Sequence, residues 1–143
     1  MTITKEQWKE VELSLSYSFG QVKLRCDGYE ITAQVRAGIA PLRSYIYVYV
    51  DGYIRGEWLK GGHEIPLKFH RKKSLFVHSA KLRAEAKEAL KKRRLDKGLR
   101  DFYQSAFKSI LVWEPSWTTP MSFIRHIRKS CTSIELIKMG YGD

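Results

Sequence analysis

The residues of this chain that could do chemistry are few and scattered. Its four histidines, His63, His70, His78 and His126, and its two cysteines, Cys26 and Cys131, do not fall at the spacings of a zinc site. His63-Glu64 lacks the second histidine three residues on that a zinc-protease helix needs, and no phosphate loop, dinucleotide loop or nucleophile elbow is present. Neither a metal nor a cofactor is expected, and both cysteines read as buried free thiols. One catalytic arrangement stays open. His70, Glu85 and Tyr103 could converge as the general acid and base groups of a small ribonuclease, an enzyme that needs little beyond a basic cleft and proton donors. It ranks behind two binding readings.

Charge is the stronger signal. The formal net charge is +11, and it is concentrated: residues 70–100 hold 12 Lys/Arg and 3 Asp/Glu, whereas residues 1–69 hold 9 and 8, and residues 101–143 hold 5 and 4. A field so localised attracts nucleic acid, an acidic protein surface or an anionic membrane alike. Within the window, Arg71, Lys72, Lys73, Lys87, Lys91, Lys92, Arg93 and Arg94 are the candidate phosphate or partner contacts. The plain alternative is a solvated face that serves only solubility. No run of about 18 apolar residues exists, and the start MTITKEQW lacks the basic-then-apolar order of a signal peptide. The expected compartment is therefore the cytosol of a host cell, without membrane contact.

Two hairpins must position the other candidates. Around Asp27-Gly28, the apolar Val22, Leu24 and Cys26 lie on even positions and Tyr29, Ile31, Ala33 and Val35 on odd ones, which demands a two-residue loop. The outward face then carries Lys23, Arg25, Thr32, Gln34 and Arg36. After residues 38–41 comes a second Asp-Gly pair within SYIYVYVDGYIRGEWL. Here a two-residue loop would mix core and surface residues, so the pattern predicts an odd loop with Ile46, Val48, Ile54, Gly56 and Trp58 on one face. Tyr45, Tyr47, Tyr49, Tyr53, Arg55 and Glu57 share the other, a mixture suited to stacking unpaired bases. The competing expectation is that a helix over 79–95 or 120–131 covers those tyrosines.

The remaining elements follow from caps and periodicity. Thr4 with Gln7 makes a capping box and Ile3 with Trp8 a staple for a helix ending near residue 16. Residues 60–78, with Gly61-Gly62 and Pro66 as breakers, predict an irregular packed connection with at most a short strand. Residues 79–95 predict a basic helix on an apolar line of Leu82, Ala86, Ala89 and Leu90, with Gly98 as its stop signal. A helical turn and a strand centred on 110–113 come next, then a helix that Thr119 caps with Pro120 in its first turn, a final strand, and a tail that frays.

RCDGYEI, YVYVDGYIRGEWL and the closing W-T-T-P-M-S-F and S-I-E-L-I together resemble a group of small uncharacterised proteins carried by tailed phages and prophages, over the first sixty and last thirty residues. The resemblance implies a phage setting, in which small accessory proteins include inhibitors of bacterial defence such as anti-CRISPR proteins, and so raises a protein-directed alternative. It implies no catalytic residues. The expectation is one α+β domain over 1–143: a four-stranded antiparallel meander, an N-terminal helix, a basic helix and a C-terminal helix, with room for one or two further strands. The leading function is non-enzymatic binding of nucleic acid or a nucleoprotein complex through the basic helix. The runner-up is a counter-defence inhibitor docking on a host protein.

Overall fold

Both Asp-Gly pairs fold as two-residue turns with positive φ at each position, 50° and 89° at Asp27-Gly28 and 51° and 85° at Asp51-Gly52, the mirror-image turn that such pairs favour. The first joins β1 (Gln21–Cys26) to β2 (Tyr29–Ala37) in the expected register, with Cys26 opposite Tyr29 and Leu24 opposite Ile31. The second corrects the odd loop predicted for residues 44–59. Val50 pairs with Tyr53 across Asp51-Gly52, and no fourth strand follows. The backbone N–H of Asp51 donates to Glu30 O and its carboxylate accepts from Glu30 N, so the turn is tied to β2. The far edge of β3 (Ser44–Val50) is already taken by β6 (Ser116–Trp117), through Ile46–Trp117 and Tyr47–Ser116 pairs. The chain after Tyr53 has no edge to join. It makes a 3-10 turn over Gly56–Lys60, which buries Trp58 by another route and leaves Ile54 exposed.

The computed structural model describes residues 3–37 and 43–140; the 38–41 connection and the end of the tail lie outside the described residues. The chain divides into two compact units, residues 73–112 and the rest. The larger is a five-stranded sheet ordered β6-β3-β2-β1-β7, with β7 (Ile134–Met139) antiparallel to β1. The α+β class stands, but the meander has three consecutive strands flanked by two from the C-terminal third.

One face of this sheet is the core. Val22, Leu24, Ile31, Ala33, Ile46 and Val48 meet Val11 and Leu15 of α1 (Lys5–Ser14), Phe69 of α2 (Glu64–Phe69), and Phe123, Ile124 and Ile127 of α5 (Pro120–Ser130). The Thr4–Gln7 capping box is present in full, and Thr119 caps α5 with Pro120 in its first turn. α2 replaces the irregular connection expected over 60–78. Pro66 sits in its first turn, where no helical N–H is lost. Trp117 Nε1 donates to Phe69 O at 2.9 Å, fixing β6 over α2. Trp113 lies against Gly61 (φ 74°), where a Cβ would come within 2.6 Å of its ring.

Asp27 is the polar centre of this unit. Its carboxylate accepts from the backbone N–H of Thr132 and Ser133, the Thr132 hydroxyl and the Lys68 ammonium. These bonds hold its carboxyl far below the usual carboxylate range, the Lys68 contact foremost. One side chain thus joins the first turn to α2 and to the segment between α5 and β7.

Residues 73–112 are built differently. β4 (Arg71–Phe76) and β5 (Ser109–Glu114) form a separate two-stranded sheet. α3 (Ala80–Ala89), capped by Ser79, and α4 (Lys97–Ser105), capped by Asp96, pack on each other. The single basic helix predicted over 79–95 is thereby shortened. Its carbonyl end comes at Leu90, and the four successive cations 91–94 follow outside it, where they escape stacking like charges along one helical face. Gly98 is inside α4 rather than a stop. Only the small Ala86 and Ala106 are buried in this unit; Leu75, Phe76, Val77, Leu99, Phe102, Phe107, Ile110 and Leu111 are all exposed.

Candidate binding surfaces

Three groups of predicted contact residues fall in three places. Tyr45, Tyr47 and Tyr49 lie half-buried on the sheet face opposite the core, as their odd positions on β3 dictate. They stand across β2 from Arg36, Gln34 and Thr32, in that order, and the Arg36 guanidinium is 5.6 Å from the Tyr49 ring centre. Next along the same rows is Lys23, beside Thr32 and paired with Glu30 at 3.7 Å. The C-terminal helix does not cover the tyrosines, because α5 turns Phe123, Ile124 and Ile127 into the core on the opposite face. Arg55 does not join them. Without a fourth strand, its guanidinium lies 5.2 Å from the Tyr53 ring and 6.0 Å from that of Trp58.

The β4 cations are partly committed to structure. Arg71 is half-buried and its Nη2 donates to Glu114 at 2.6 Å. Lys72 Nζ lies 5.8 Å from the Trp113 ring, a cation–π contact that still leaves it exposed. Lys73 is exposed as well. Lys87, Lys91, Lys92, Arg93 and Arg94 form the third group, all exposed, at the end of α3 and in the turn after it. Lys91 pairs with Glu88 at 3.1 Å, a surface contact of little energetic weight.

Further residues belong with this third group. Residues 73–112 hold 11 Lys/Arg against 4 Asp/Glu, so Arg83, Lys97, Arg100 and Lys108 extend the field. Arg83 lies 3.8 Å from the centre of the Phe76 ring, itself 52% exposed. α4 turns Leu99 and Phe102 outward, with Phe102 57% exposed and edge-on to Tyr103. The helical turn expected ahead of the strand at 110–113 is the longer α4, capped by Asp96; reading Gly98 as a stop hid where it starts.

The ribonuclease arrangement finds no support in His70. That ring is 1% exposed, edge-on to Trp58 at 5.8 Å, and neither nitrogen makes a well-formed hydrogen bond. Burial pushes its pKa down to about 4, with the Trp113 backbone pulling weakly the other way and His126 adding to the depression. His126, half-buried and 4.8 Å from the Trp117 ring, is also lowered by burial. A buried neutral ring of this kind packs; it does not meet a substrate. Among the described residues no group of three or more His, Cys, Asp or Glu is placed to hold a metal ion, and no helix is long and apolar enough to cross a membrane.

Comparison of the chain with protein-family models, with curated proteins and with solved structures finds no match.

Proposed function

We propose that this is a phage-type accessory protein that acts by binding, and that residues 73–112 dock on a nucleoprotein complex in the host cell. The observation that carries the reading is the coincidence, in one 40-residue unit, of 11 Lys/Arg with eight exposed large apolar side chains. Phosphates account for the cations, because each neutralised phosphate releases condensed counterions. They do not account for Leu99, Ile110 or Leu111, which need an apolar partner surface. A complex of nucleic acid with protein offers both. Tyr45, Tyr47 and Tyr49 add a surface on which unpaired bases can stack.

The second reading, a counter-defence inhibitor seated on a host protein alone, draws on the same apolar side chains. Affinity purification from a bacterial host, with and without nuclease, separates the two. The first expects nucleic acid in the untreated sample and a capture that weakens on digestion. The second expects one host protein whose recovery is indifferent to nuclease. For the first, changing Lys91, Lys92, Arg93 and Arg94 to Gln should weaken binding to the complex and flatten its salt dependence, by about 0.7–0.9 in the log–log slope for each phosphate contact removed. An affinity and slope equal to wild type would refute it.

A further inference from the structure

Two thiols and one cavity in the sheet unit have no part in these binding surfaces. Cys26 ends β1 and is fully buried; Cys131 follows the last residue of α5 and is nearly so. They are 105 positions apart in sequence, yet the contacts around them bring the end of β1 against the segment that follows α5. The residues that follow each of them explain why. Asp27, next to Cys26, bonds Thr132 and Ser133, next to Cys131, through its carboxylate, and its own N–H donates to Ser133 O. The Cys26–Ile134 pair of the β1–β7 ladder continues the same clamp. Cys131 in addition lines an open cavity of about 310 Å³, walled by Trp8, Arg128, Thr132 and Ile134. The Arg128 guanidinium is held 5.3 Å from the Trp8 ring.

We propose that Cys131 and Cys26 form a dithiol that reacts with small hydroperoxides, Cys131 being attacked through the cavity and Cys26 closing the disulfide. The electrostatics agree with that division. The neighbouring Cys26 thiol holds Cys131 below the usual thiol range, whereas Cys26 is raised by the Cys131 thiol and by burial. The thiol favoured for ionisation is thus that of the residue lining the cavity. In the first step the Cys131 thiolate takes the distal oxygen of the peroxide, the O–O bond breaks, and the hydroxide released is protonated to water. In the second, the Cys26 sulfur displaces that oxygen from Cys131 sulfenic acid, the Cys26 proton leaves with it as a second water, and the S–S bond forms. Two thiols give up two electrons and one peroxide accepts them. The product ties the end of β1 to the end of α5.

The test is hydrogen peroxide treatment of the purified full chain at neutral pH, followed by intact mass, thiol titration in denaturant and peptide mapping. The expected result is a mass lower by two hydrogens, loss of both titratable thiols, and one linked peptide joining residues 26 and 131 within a single chain. The melting temperature should rise, since the cross-link closes a loop of about 105 residues in the unfolded chain. In Cys26→Ser, where nothing resolves the intermediate, dimedone should label Cys131; in Cys131→Ser, Cys26 should stay unlabelled. Two thiols that survive a treatment oxidising a free cysteine peptide in the same tube would overturn the proposal. So would cross-links only between copies, or sulfinic acid at Cys131 of the wild type without any disulfide. The wild-type measurements decide the matter even if a variant fails to fold.

Discussion

The two units of this chain both expose large apolar side chains, but only one of them also encloses a core. In the sheet unit, Val22, Leu24, Ile31, Phe69, Phe123 and Ile127 are buried almost without remainder, and Asp27 satisfies its carboxylate four times over. Residues 73–112 bury no large apolar side chain completely and hold their shape by two helix caps, a two-stranded sheet and one helix–helix contact. An isolated two-stranded sheet is marginal in water. Residues 73–112 thus carry exposed phenylalanines among cations with no closed core beneath them, whereas the sheet unit, which also exposes Phe19 and Tyr17, has one.

The sharpest way to break this contrast is to shave a side chain in each unit. Phe123→Ala should cost about 3–5 kcal/mol in chemical denaturation, the ordinary cost of emptying a closed core site. Phe102→Ala should lie within about 0.5 kcal/mol of wild type, and should instead lower the yield of partner in a pull-down. A large stability loss at Phe102 would erase the distinction between the units.

Of middle size is the pH response of the sheet unit. Below the ordinary histidine value of 6.5 the unfolded chain takes up a proton that folded His70, with its pKa near 4, refuses. Stability is therefore full above pH 6.5 and falls, by about 3 kcal/mol, as pH drops from 6.5 to about 4. The lowered His126 adds to the fall in the same direction. Melting curves across that range check it, and His70→Leu, which removes the ring that must stay uncharged in its buried site, should melt above wild type at pH 5. A wild type equally stable at pH 7 and pH 4.5 would refute the assignment.

What could be read from the residues, and what could not, also divides by kind of interaction. Local signals held: Thr4 with Gln7, Thr119 with Pro120, and the parity of the first hairpin all depend on neighbours within a few positions. The second hairpin misled because residues 53–59 keep alternating although they form no strand. Trp58 reaches the core from a 3-10 turn, and the edge it would have needed belongs to β6, more than fifty residues away. Pro66 was a breaker on paper and a first-turn proline in fact. The tyrosine face was legible from the alternation of β3 alone. The exposed apolar side chains of residues 73–112 were not, because apolar type does not say whether a core exists to receive it. The approach of Cys26 to the segment after α5 was equally hidden, since it rests on an Asp27 clamp that joins distant parts of the chain.

Arg71 pairs with Glu114 and Lys72 lies over Trp113, so the chain leaves the sheet unit and returns to it at adjoining points. To that unit, residues 73–112 amount to a single loop whose ends are held together already. Loop-closure entropy grows only with the logarithm of length, so exchanging these 40 residues for a turn of about four changes the closure term by about 2 kcal/mol. The scaffold is correspondingly indifferent to what it carries there. Segments of other charge and shape could occupy the same splice point over evolutionary time while the fold beneath them stayed as it is.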